Sequence, residues 1–344
     1  MNKIDRFFAT IDRKPVDRPA SWLGIPETYA LPALYAHFGV KDMPGLKAVI
    51  DDDVYPVEMP YHSPTSDAIY AAFDFAKKVS VSLAERTLTA PGYFEDYHEV
   101  SDVANFPWPD PAKYIDPAEC LKAVSEVPEG YVVMGVIWSA HFQDACAAFG
   151  MEEALMRMML EPEMFQAVID RIADFYLEAN EIFYKATQGK LHAVLIGNDL
   201  GSQCGLMIDP DSIRQFVLPG TRKLIAQAKS YGLKVIHHSC GSIFDIIPDL
   251  IDVGVDVIHP IQALAAKMEP GRLHDHFSQQ VSFCGGVDAQ QLLVNGQPEE
   301  VRAKVSELCT IFPTGLIISP SHEAILADIP PANIQALFEE VHRA

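Results

Sequence analysis

The stretch KVIHHSCGSIFDIIPDLIDVGVDVIHPIQ, residues 234–262, reads as strand, helix, strand. Short apolar runs rich in β-branched residues flank an amphipathic segment, which is the pattern of a parallel β-α-β unit. The same alternation extends in both directions. YVVMGVIWS (131–139) leads into the helical pattern MEEALMRMMLEPEMFQAVIDRIADFYLEANEIFYKAT, and LHAVLIGNDLGS (191–202) into DPDSIRQFVLPGTRKLIAQAKSYG. QVSFCGGVD (280–288) precedes PEEVRAKVSELCTIF, and GLIISPSH (315–322) precedes PPANIQALFEEVHRA. Nearly continuous apolar strands suit a sheet covered on both faces. RPASWLGI (18–25) supplies an early strand, while the rest of the first 130 residues shows weak periodicity. The expectation is an α/β fold: a single (β/α)8 TIM barrel spanning 1–344, with an N-terminal helical extension. An open doubly wound sheet is the rival, and the absence of G-x-G-x-x-G at a strand–helix junction weakens its nucleotide-binding form.

Composition narrows the class. The chain has 344 residues, 49% of them hydrophobic, and a formal net charge of −21. That charge opposes non-specific binding to nucleic acid or anionic membranes. No apolar run approaches the ~18 residues of a membrane span, and MNKIDRFFATIDRKPVDRP lacks the apolar core of a signal peptide. Six cysteines in a chain this long fit a reducing compartment better than a disulfide framework. The expectation is a soluble cytoplasmic protein.

In such a barrel, catalytic groups project from the carboxyl ends of the strands. Polar residues cluster there: Asp199 and Gln203, His238 and Cys240, Gln262, Cys284 and Asp288, and His322. Asp288 also suits an N-cap for AQQLL. Side chains at i and i+2 of a strand share a face, so His238 and Cys240 converge while His237 faces away. Imidazole and thiolate are zinc ligands, and a catalytic zinc takes three protein ligands with one open position. His322 is the expected third ligand, with Cys284 as competitor.

These residues resemble the uroporphyrinogen decarboxylase superfamily, in particular its cobalamin-dependent methyltransferase branch. RFFATIDRKPVDRP is similar to the family's opening. MGVIWSAHFQDACAAFGMEEAL, GNDLGSQCGLMIDPDSIRQFVLPGTRKLI, HHSCGSIFDIIPDLIDVGVDVIHPIQ, FCGGVDAQQLL and SPSHEAILADIPPANIQAL follow in the family's order. The resemblance implies a TIM barrel with its site at the carboxyl rim. True decarboxylases carry arginines just after the opening for substrate carboxylates, whereas WLGIPETYALPAL (22–34) has no basic residue. His238 and Cys240 match the methyltransferases' zinc pair, but His322 stands where that branch usually has cysteine.

The resemblance therefore implies methyl transfer between a corrinoid and a thiol or similar acceptor, with zinc on His238, Cys240 and His322. Asp199, Gln262 and Asp288 are the expected catalytic and orienting residues. Trp22, Tyr97, Trp138 and Phe142 are candidates for an apolar wall, with Gln203 beside it, and Gly285 and Gly286 allow close backbone approach. The chain has no Asp-x-His-x-x-Gly motif, so the corrinoid (methylcobalamin) is expected on a separate carrier protein. The expected partners are that carrier, a small-molecule substrate and a second copy of the chain in a homodimer. The alternatives are metal-free decarboxylation of a porphyrinogen, using Asp199 or an aspartate of the 51–53 run, and a non-catalytic small-molecule or corrinoid binder.

Overall fold

The structure, a computed structural model, describes residues 1–75, 90–187 and 189–344. Among the described residues nine strands are formed: β1 (Ile25–Pro26), β2 (Val54–Glu58), β3 (Val132–Trp138), β4 (Ala193–Gly197), β5 (Lys234–His238), β6 (Val257–Ile261), β7 (Ser282–Val287), β8 (Leu316–Pro320) and β9 (Ala324–Ile325). Strands β2 to β8 make one curled sheet in sequential order, every pairing parallel. Helices alternate with strands, among them Pro162–Thr187 after β3, Leu218–Ser230 after β4 and Pro298–Ile311 after β7. β1 and β9 form a separate parallel pair beside the last strand.

The segment 20–22 links the two edges of the sheet. Trp22 N–H donates to Ile318 O and Ile318 N–H to Ala20 O, while Asp53 N–H donates to Ser21 O. This short stave joins β8 to the start of β2, as a (β/α)8 barrel requires. Inside the curl, Val54, Val132, Met134, Leu195, Ile236, Val257, Cys284 and Ile317 form an apolar filling with Trp22. Helix Lys3–Ile11 adds Phe7 and Ile11 to that cluster, covering the amino ends of the strands. The larger outer cluster fills the layer between sheet and helices.

The strand expectations hold to within a few residues, but β2 escapes the sequence pattern. Pro56 interrupts it and Asp51–Asp53 precede it. Proline is tolerated in an edge-like strand, and β2, paired with β3 on one side, is tied on the other through the Asp53 N–H to Ser21 O. The long helical pattern after β3 divides at Pro162 into Met151–Leu160 and Pro162–Thr187, because proline removes an amide donor from the helix interior.

Candidate metal centre at the carboxyl rim

β5 ends at His238, and Cys240 follows on the turn into the next helical segment. The Cys240 sulfur lies 3.4 Å from His238 Nε2. Asp199, just beyond β4, places Oδ1 3.3 Å from the same nitrogen and accepts the Cys240 backbone N–H at 2.9 Å. Single donor atoms of Asp199, His238 and Cys240 all lie within 4.8 Å of one another. Gln262, just beyond β6, accepts the Gly241 N–H through Oε1 at 2.6 Å. Gly241 has φ +80°, and a Cβ there would meet the Gly201 backbone at 2.5 Å. Asp199 and Gln262 thus clamp the backbone that carries the thiol.

The other nitrogen of His238 faces a second set. His238 Nδ1 is 3.0 Å from His259 Nδ1 and 3.3 Å from Glu323 Oε2. His259 is paired with His238 across β5 and β6 and is fully buried. Glu323, just after His322, is also buried. Glu323 Oε2, His259 Nε2 and the indole nitrogen of Trp22 have no aligned hydrogen-bond partner. The 3.3 Å approach of Glu323 to His238 is an ion-pair distance without N–H alignment. Buried polar atoms left in this state are uncommon, and here they gather around one imidazole.

The charges agree with this geometry. Burial pushes the His238 imidazolium down, but Glu323, Asp199 and Cys240 outweigh it and hold its pKa well above the ordinary value. Burial pushes the Asp199 carboxyl up, yet hydrogen bonding to His238, the imidazolium charge and the Cys240 amide bring it down to about 2. The Cys240 thiol is lowered: burial raises it, and the hydrogen bonds from His238 and His322 prevail. A thiol so placed is biased toward thiolate, its metal-binding form.

Trp138 packs edge-on against His238, with ring centroids 5.7 Å apart. Trp138 and Ser139 adopt φ +61° and +55°, a left-handed conformation costly for side chains of this kind and concentrated at functional sites. Trp22 lies beneath, 5.3 Å from the His259 ring. His322 stands above, its ring 6.2 Å from that of His238, and its Nδ1 accepts the Ala324 N–H at 3.0 Å.

Several expected residues lie elsewhere. Cys284 is fully buried in the apolar filling, and burial drives its thiol far up; it is in neither ligand group. Asp288 spends its carboxylate on the amides of Gln290, Gln291 and Leu292, the capping role. Phe142 is fully buried in the outer layer, its N–H donating to Asn198. Tyr97 stacks on Tyr93 and lines a separate cavity of about 800 Å³ with Trp108 and Tyr114. Gln203 is exposed. Gly285 and Gly286 (φ +116° and +95°) are required by packing, since a Cβ would meet Ile261 N at 2.7 Å and Leu308 at 3.0 Å respectively. His237 faces away from the rim and is buried, burial taking its pKa down to about 3.

The acidic run 51–53, a candidate acid in the decarboxylase alternative, is engaged in ion pairs. Asp53 accepts from Arg6 at 2.6 Å, Arg18 at 3.1 Å and Ser21 N–H at 2.8 Å. Asp52 binds Lys47 and the Leu23 N–H, and Asp51 binds Lys3. All three precede β2, at the end opposite the rim.

A family model, uroporphyrinogen decarboxylase (URO-D), matches residues 2–344. The chain belongs to the URO-D family. No curated protein matched the sequence. Among solved structures, a methyltransferase from Methanosarcina mazei superposes with TM-score 0.69 at 16% identity, covering 100% of this chain and 99% of the other. A Listeria monocytogenes protein described as a "putative vitamin-B12 independent methionine synthase" aligns at TM-score 0.44 and 14% identity, with 95% and 96% covered. At 16% identity the likeness to the Methanosarcina mazei protein shows a shared fold alone. Among the described residues no helix is long and apolar enough to cross a membrane.

Sequence reasoning missed His259 and Glu323. VIHPI reads as one apolar strand, and Glu323 reads as loop polarity. The signal available was His238 itself: an imidazole aimed into a barrel mouth needs partners for both nitrogens.

Proposed function

We propose that this URO-D family protein is a zinc-dependent methyltransferase acting between a corrinoid, delivered on a separate carrier protein, and a thiol or similar acceptor. The observation that carries the reading is the convergence of His238 Nε2, Cys240 Sγ and Asp199 Oδ1 at the carboxyl rim. The donor set fits a borderline-soft divalent cation: one imidazole, one sulfur whose pKa is already lowered, and one carboxylate. Zinc bound there supplies Lewis acidity that keeps an acceptor thiol in its nucleophilic thiolate form.

The chain's own residues do the rest. His238 and Cys240 donate to the cation, and Asp199 and Gln262 fix the 240–241 backbone so that the sulfur is preset. Glu323 and His259 hold the far nitrogen of His238, orienting Nε2 toward the cation. Trp138 presents an apolar edge at the mouth, which excludes water beside the thiolate. Cys240 is half-buried and the Asp199 side chain 46% exposed, so an acceptor can reach them.

Decarboxylation of a porphyrinogen is the lesser reading. Of its expected acids, those at 51–53 are paired with cations at the other end of the strands, Asp199 is engaged by His238 and the Cys240 N–H, and the stretch 22–34 offers no arginine. Elemental analysis of protein purified without chelator tests the preference. Near one zinc per chain, lost in His238→Ala/Cys240→Ala, is the expected result. Metal-free protein that consumes uroporphyrinogen reverses it.

A further inference from the structure

His322 is the expected third ligand, yet its hydrogen bonding is unsuited to that task. Its Nδ1 accepts the Ala324 backbone N–H at 3.0 Å, so the lone pair on that nitrogen is already engaged. A neutral imidazole has one lone pair and one N–H on its two nitrogens. With Nδ1 acting as acceptor, Nε2 carries the hydrogen and has no lone pair for a metal. The Cys240 sulfur also raises the His322 pKa, the direction expected where an imidazole N–H faces a thiolate. The fixed amide of Ala324, in the short β9 that pairs with β1, keeps the ring in this state.

Asp199 has the opposite character. Its Oδ1 is 3.3 Å from His238 Nε2, and it belongs to the same 4.8 Å group as Cys240, whereas His322 belongs to neither ligand group. The second group, His238, His259 and Glu323, does not compete for the cation. The two Nδ1 atoms in it stand 3.0 Å apart and share one hydrogen, so the lone pair between them is taken. It also contains no sulfur.

Resting on the zinc reading above, we infer that the cation is held by His238 Nε2, Cys240 Sγ and Asp199 Oδ1, and that His322 is a positioning residue that donates Nε2–H to the Cys240 sulfur. Two negative donors then offset the divalent charge, which two imidazoles and one thiolate would not do. A less electrophilic cation leaves its bound acceptor thiolate more nucleophilic. The chain thus reaches the charge balance of a two-cysteine site with a carboxylate from β4 in place of a second sulfur from β8.

The test is X-ray absorption on the zinc-loaded full-length protein, with zinc affinity measured by chelator competition. One sulfur and one imidazole per zinc are expected in the parent protein and in His322→Ala. Asp199→Ala and Asp199→Asn should weaken zinc by more than the roughly 10–100-fold that outer partners contribute. Asp199→Asn still accepts the Cys240 N–H and so guards against misfolding as the cause. His322→Ala should stay within that 10–100-fold range. Two imidazoles in the parent, falling to one in His322→Ala, overturn the inference while leaving the zinc reading intact. Absence of zinc from the parent overturns both.

Discussion

At the amino end of the strands, Asp53 sits between Arg6 and Arg18 and accepts the Ser21 N–H, while Asp52 meets Lys47 and the Leu23 N–H through Oδ2 and leaves Oδ1 unpaired. At the carboxyl end, Glu323 lies 3.3 Å from His238 and 3.6 Å from His322, with Oε2 lacking an aligned donor. Both ends bury charge. At one end most of the donors and acceptors are matched, so the charges fasten the segment 20–22 to β2. At the other, unmatched atoms surround a pair of histidines. Matched networks hold a fold in register, and buried polar atoms without partners are uncommon enough to single out a functional region.

The contrast breaks most visibly at Asp53. Asp53→Ala takes a shared buried carboxylate from Arg6, Arg18 and the Ser21 N–H, and removing one partner of a buried pair costs about 3–5 kcal/mol. Urea denaturation should show a loss of that size. Zinc bound per folded molecule should be unchanged, because the rim lies at the other end.

Asp144 offers an opposite test, since its buried carboxyl meets the neutral Tyr176 hydroxyl at 2.6 Å. Burial pushes its pKa up to about 7, from an ordinary value of 3.8. A raised acid contributes stability that is full below its unfolded pKa and is lost as pH rises through the folded one. Each pH unit in that window is worth about 1.4 kcal/mol, which caps the effect on the order of 4 kcal/mol. Asp144→Asn should flatten the stability profile between about pH 4 and 7. Asp17 runs the other way: the Arg6 hydrogen bond holds its carboxyl low, so its contribution disappears only in acid.

The smallest effect belongs to Cys284. Cys284→Ala removes one sulfur from the apolar filling and should cost about 1 kcal/mol. Zinc stoichiometry should be unaltered, and a loss of metal would place that sulfur at the rim after all.

Much of this was legible in the sequence, for identifiable reasons. Strands β3 to β8 are apolar runs between helical patterns, and the two-residue step from His238 to Cys240 survives in the structure as a 3.4 Å contact. β2 was hidden by Pro56 and its acidic neighbours. The stave at 20–22 is too short to show a period. His259 and Glu323 were invisible because burial and pairing between strands, not spacing along one strand, give them their meaning. The roles of Asp288, Phe142, Gly285 and Gly286 depend on which neighbour each one meets, and one-dimensional pattern carries no such information.

The joint through Ala20, Ser21 and Trp22 has a consequence for how the chain reaches its final form. It unites residues near the start with Ile318 near the finish, so the ring of strands stays open until almost the whole polypeptide is present. Contacts so distant along the chain are slow to form. Until they do, β2 and β8 each present an unpaired border able to recruit a neighbouring molecule. A version shortened by its first 22 residues would keep both borders permanently, and clumping rather than lost chemistry would be its first symptom.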